Sequence, residues 1–182
     1  MIKFLITGLI LTWFLPVIGY FIFCINKLFY KLCSCILGEY VSFLFFNYIT
    51  FIGVIHHELS HMLFALFTGA KIYKVELFRP TKDSLGSVIV GYRGSKLKQS
   101  IQATFVSVAP IVVGVLSVFS LYKLFLFLDL SIIYNVIFIY VMLSIVLHMT
   151  MSKADFSNYV KGSFVLTLLI TILCYAFGFS LI

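Results

Sequence analysis

Apolar positions along the 182 residues gather into five long stretches, near 4–24, 41–67, 101–119, 132–149 and 163–182, and most charged residues fall between them. An α-helix needs about 20 mainly apolar residues to cross the hydrocarbon core of a bilayer, so each stretch predicts a span. The segment from 69 to 100 breaks the pattern. Residues 71–78 alternate with the period of a strand, Pro80, Asp83 and Gly86 supply a turn, and residues 87–92 are β-branched and bounded by glycine. This predicts a β-hairpin over 71–94 at the membrane surface, with an exposed edge that could pair with an extended peptide. The expected fold is an all-α polytopic membrane protein of about five transmembrane helices, with the small hairpin between the second and third. No repeat, low-complexity tract or soluble linker divides it, so residues 1–182 read as a single membrane-embedded domain.

Composition strengthens this reading. The chain is 63% hydrophobic and 10% charged, with a mean hydropathy of +1.16, against about 25% charged residues in soluble domains. The net charge of +7 does not point to nucleic acid, because the basic residues are spread through short loops rather than gathered on one soluble domain. Five spans place the N-terminus and the 68–100 and 150–162 loops on one side. That side holds ten of the thirteen Lys and Arg, leaving Lys27, Lys31 and Lys123 on the other. The positive-inside rule then predicts a cytoplasmic N-terminus and an outer C-terminus in a plasma membrane. The first stretch reads as a retained span, being long and without a small-residue cleavage site. Cys24 lacks the small residues that precede a lipidated cysteine, Cys33 and Cys35 are one residue apart, and Cys174 stands alone, so no disulfide framework is implied.

The chemistry is concentrated in His57-Glu58-Leu59-Ser60-His61. Polar groups inside an apolar span are costly, which marks them as functional. Positions four apart share a helical face, so His57 and His61 can direct two imidazoles at one ion with Glu58 beside them. In H-E-x-x-H chemistry the two histidines and a third protein ligand hold Zn²⁺, and the glutamate is the general base for peptide hydrolysis. Gly53, His57, His61, Ala65 and Gly69 follow one another at four-residue intervals. Such small residues permit close packing of a neighbouring span, expected to be the third, where Ala109, Pro110 and Gly114 lie. Candidates for the third ligand are His56, Glu39, Glu76, Asp83, Asp129, His148 and Asp155. Glu39 and Asp129 fall toward the outer ends of their spans, whereas the histidine pair lies nearer the basic side. His56 is turned about 100° from His57 on a helix. Asp155, in a polar stretch that can fold back toward the bundle, leads, with His148 in reserve. Ser157 and Asn158 are candidate hydrogen-bonding partners of a ligand or substrate.

The motif, with Ala65 and Gly69 following at the same spacing, resembles the site-2 protease family of intramembrane zinc metallopeptidases. The resemblance runs from about residue 52 to 162, through a hairpin-bearing loop, an Ala-Pro-containing span and a distal aspartate in the family's order. Where the best-known members carry Asn-Pro…Leu-Asp-Gly, this chain has Ser152-Lys153-Ala154-Asp155. The resemblance implies Zn²⁺ held by His57, His61 and Asp155, Glu58 as the catalytic residue activating water, and hydrolysis of a peptide bond in a membrane-embedded or membrane-proximal substrate. The expected partners are a membrane protein or hydrophobic peptide and the lipid bilayer. The competing reading is a non-catalytic, zinc-stabilised membrane scaffold, and ion transport is a third, opposed by the near absence of polar residues in the first, third and fifth stretches.

Overall fold

Helix α1 covers Ile2–Leu37, a short helix α2 (Glu39–Leu44) passes into a π-helical turn at Phe45–Ile49, and α3 covers Phe51–Thr68. Strands β1 (Lys71–Glu76) and β2 (Ser87–Gly91) follow, then α4 (Lys96–Phe127), α5 (Ile132–Leu147) and α6 (Lys153–Ala176). The computed structural model describes residues 1–80, 85–128 and 131–182. Helices α1, α3, α4 and α6 are long and apolar enough to cross a membrane, and α5 is a shorter apolar helix of 16 residues. The expected all-α architecture with a small hairpin is therefore present, and the protein reads as a membrane protein.

Two helix boundaries differ from the hydropathy pattern. The stretch 41–67 is not one helix, because the π-helical turn and Thr50 interrupt it before α3. Ser144 of α5 closes the gap: its Oγ donates to the Thr50 carbonyl at 2.9 Å and accepts from the Gly53 amide at 2.8 Å. In an apolar environment no water replaces such a partner, so a break persists only where protein satisfies it. The last helix begins at Lys153 rather than near residue 163. Ser152 caps it, accepting from the Asp155 amide while the Asp155 carboxylate accepts from the Ser152 amide, and this capping box carries the helix through residues whose polarity suggests a loop.

The order of contacts along α1 corrects the expected topology. Phe4 meets Tyr175 edge-on, Gly8 abuts Thr171, and Thr167 Oγ1 donates to Thr12 Oγ1 at 3.1 Å. Trp13 then faces Phe156 and Tyr159, Gly19 faces Met151, and Asn26 Nδ2 donates to the Leu147 carbonyl. Along α4, Gly114 meets Met149 and the turn at Ser100 and Thr104 meets Gly162, again in opposite order. Helices α5 and α6 thus run the same way, as two pieces of one passage joined by residues 148–152. The two chain ends lie together, with the Leu181 amide donating to Thr7 Oγ1 at 3.1 Å, not on opposite sides as five alternating crossings require. Loop charge sorts segments by side but does not reveal that two successive apolar stretches form one interrupted passage.

Gly69, at φ 72°, ends α3 in the left-handed conformation and turns the chain into the hairpin. The strands pair antiparallel from Lys71↔Gly91 to Glu76↔Ser87, with an irregularity between Ile72 and Lys74. The hairpin folds back along α3 instead of resting at its end. Ile72 and Val90 pack on Ala65 and Val106, and Phe78 reaches the rings of Tyr48 and Phe51. Burial of that apolar strand face against α3 and α4 sets this placement. Asp83, expected in the turn, lies outside the described residues.

Candidate metal centre

Helical spacing places His57 and His61 one turn apart on α3, and their rings are locked from behind by main-chain carbonyls. His57 Nδ1 donates to the carbonyl of His148 at 2.7 Å, and His61 Nδ1 donates to the carbonyl of Val106 at 2.8 Å. The first acceptor belongs to the last turn of a helix, where carbonyls lack intrahelical partners. A carbonyl only accepts, so both Nδ1 atoms carry a proton and each ring turns its Nε2 inward. These two Nε2 atoms are 3.1 Å apart.

Asp155 comes from the first turn of α6. Its Oδ2 is engaged by Ser152, at 2.6 Å from Oγ and 3.1 Å from the amide nitrogen, while Oδ1 lies 3.6 Å from His61 Nε2. One ligand atom from each of His57, His61 and Asp155 falls within 4.8 Å of the others. The group could hold a metal ion. The site is well enclosed, with His61 only 7% exposed and Glu58 8%.

Glu58 makes no side-chain hydrogen bond to another described residue and, with His57, lines a cavity of about 770 Å³. The remaining walls are mostly apolar: Pro16, Tyr20 and Phe23 of α1, Val54 of α3, Leu85 and Gly86 of the hairpin, and Met151 and Phe156. Gly86 is required where it stands, since a Cβ there would come within 2.8 Å of the Leu77 carbonyl oxygen as well as of Glu58 Cγ. Ser152 and Lys153 complete the polar rim.

The other candidates lie outside the group of three. His148 lines the same cavity and contributes its carbonyl to His57 while its Nδ1 donates to the Ser144 carbonyl at 3.0 Å, and the group of three ligand atoms is completed by Asp155. His56 Nε2 shares a hydrogen bond with Ser117 Oγ of α4 at 2.9 Å. Glu39 is exposed at the start of α2. Glu76 pairs with Lys74 at 3.0 Å and with Arg79, and the adjacent guanidinium holds its carboxyl below the usual range. Asn158 accepts from Lys161 at 2.9 Å, and Ser157 is exposed. Asp129, like Asp83, lies outside the described residues. Helix α4 is the expected neighbour of α3, but Gly53 packs on Ser144 and His148 of the α5 end, and Gly114 accommodates Met149.

Sequence reasoning missed Ser152, Ser144 and the two carbonyls. Ser152-x-x-Asp155 has the spacing of a capping box, which could have drawn Ser152 out. A carbonyl is common to every residue and leaves no such signal. No family model, curated protein or solved structure matches the chain.

Proposed function

We propose that this chain is a zinc-dependent membrane endopeptidase that hydrolyses a peptide bond of a membrane-embedded or membrane-proximal substrate. The observation that carries the reading is the convergence of His57, His61 and Asp155 beside Glu58, which has no side-chain hydrogen bond among the described residues and, with His57, lines a cavity large enough for a peptide segment. Zinc fits the donors, two imidazole nitrogens and one carboxylate oxygen. Ligands about 2.0–2.1 Å from a tetrahedral ion lie roughly 3.3 Å apart; here His57–His61 and His61–Asp155 are separated by 3.1 and 3.6 Å, with all three ligand atoms inside 4.8 Å. When bound, zinc would supply Lewis acidity at the scissile carbonyl and favour ionisation of water.

The chain's own groups account for the rest. In this reading Glu58 takes a proton from the attacking water as the carbon–oxygen bond forms, and returns it to the amine as the carbon–nitrogen bond breaks. A helical peptide bond has its carbonyl engaged, so substrate has to enter extended. Leu85 and Gly86 bring the 71–94 hairpin to the cavity, where an extended peptide could add to its edge. Lys3 and the hairpin root, with Lys71, Lys96 and Lys98, lie toward the end where the chain termini meet. By the positive-inside rule that end faces the cytoplasm, which we take to border a plasma membrane.

Glu58→Gln tests the assignment. Purified wild type and variant would be reconstituted with a library of single-span peptides and cleavage read by mass spectrometry. The variant should retain metal and lose cleavage by about 10²–10⁴-fold, the usual contribution of a general base. Cleavage at the wild-type rate would remove Glu58 from the mechanism, and a wild type that binds zinc without cleaving any peptide would favour the scaffold.

A further inference from the structure

Two of the three prolines lie inside helices, Pro16 in α1 and Pro110 in α4. A proline has no amide hydrogen, so the carbonyl four residues before it loses its helical donor and is pushed aside by the ring. The carbonyls concerned are those of Thr12 and Val106. The first is taken up by a neighbour of Asp155 and the second by a member of the metal group: the buried Tyr159 hydroxyl donates to Thr12, and His61 Nδ1 donates to Val106 at 2.8 Å. Tyr159 stands one helical turn after Asp155 on α6.

We propose that Pro110 and Pro16 are positioning residues for the metal group, each freeing one carbonyl that fixes a ligand-bearing element. Pro110 acts on His61 directly, presenting an acceptor that holds the ring in the tautomer with Nε2 toward the metal. Pro16 acts on Asp155 through Tyr159, tying the first turns of α6 to α1. This rests on the metal reading above. A freed carbonyl in an apolar interior needs a donor, and here one donor is a ligand of the metal group and the other lies one turn from a second ligand. An alanine at position 110 would restore an amide that competes with His61 for Val106.

The test uses the full chain in mild detergent, with zinc as the probe, competing against a chromophoric chelator, and thermal unfolding of the metal-free protein measured in parallel. In Pro110→Ala, zinc affinity should fall about ten- to a hundredfold, the usual effect of losing the group that orients a ligand histidine. The metal-free protein should be at least as stable, because the substitution restores a helical hydrogen bond. A proline that serves only helix packing would move stability and leave zinc affinity alone. Tyr159→Phe examines the Pro16 half without altering either helix and should also weaken zinc binding. Unchanged affinity in both variants overturns the inference while leaving the metal reading intact. A wild type that binds no zinc overturns the metal reading itself, and this inference with it.

Discussion

Ser152→Ala separates the two duties of the Ser152–Asp155 pair. The hydroxyl accepts from the Asp155 amide at 3.1 Å and donates to Asp155 Oδ2 at 2.6 Å, so one atom both starts α6 and aims a carboxylate whose other oxygen faces His61. Loss of a serine N-cap costs about 1 kcal/mol. Loss of a group that orients a metal ligand typically weakens affinity about ten- to a hundredfold. The structure argues for the lower end, near tenfold, because the Ser152 amide still holds Oδ2 at 3.1 Å and only one of two restraints is removed. Zinc competition titration and thermal unfolding with and without metal would be measured on wild type, Ser152→Ala and Ser152→Thr. The threonine variant keeps the hydroxyl and should recover both quantities. Reduced stability with zinc affinity unchanged would refute the reasoning, showing that Ser152 serves the helix alone and that Asp155 needs no aiming.

His148→Ala should keep zinc to within about threefold, since it is the carbonyl of residue 148 that orients His57 and ligand support of that kind survives truncation of the ring; loss as severe as in His57→Ala, by the same titration, would return His148 to the ligand set. Ser144→Ala removes both hydrogen bonds that Ser144 makes across the break before α3, leaving that of the Tyr140 hydroxyl to the Ile49 carbonyl. At about 0.6–1.7 kcal/mol for each side-chain bond in a membrane protein, unfolding in a denaturing detergent should show a loss of roughly 1–3 kcal/mol, and no measurable loss would mean the break is satisfied some other way.

The legible part of this protein was whatever side-chain chemistry or hydropathy announces. The apolar stretches located the helices, alternation located the hairpin, and four-residue spacing brought His57 and His61 to one face. Asp155 was reachable because so few acidic residues exist in the chain. What escaped is of another kind. The interruption at Thr50 falls among residues as apolar as those around it, and Ser144, which makes it tolerable, is distant in sequence. The joining of α5 and α6 into one passage depends on which helices they pack against, a property of tertiary contacts that span counting does not contain. The hairpin's alternation established its strands but not the surface they would cover, and Ala65 and Val106 decided that.

The supports around the metal group share one physical origin. A regular helix consumes its own backbone hydrogen bonds and has none left with which to hold a side chain. Each support found around His57, His61 and Asp155 comes from a place where regularity fails: the end of α5 supplies the His148 carbonyl, Pro110 releases that of Val106, and the start of α6 presents the Ser152 cap. Ahead of these, the break at Thr50 lies one turn before Gly53 and is sealed by the same α5 whose end holds His57. In an apolar surrounding every such interruption leaves polar backbone groups that must find partners. Placing the interruptions around one point turns that cost into orientation, because the orphaned groups and the imidazole protons satisfy each other. A straightened variant, with continuous helices through 45–52 and 147–153, would keep the Val106 carbonyl on His61 but lose the His148 carbonyl and the Ser152 cap, and with them the means of holding His57 and Asp155 toward it.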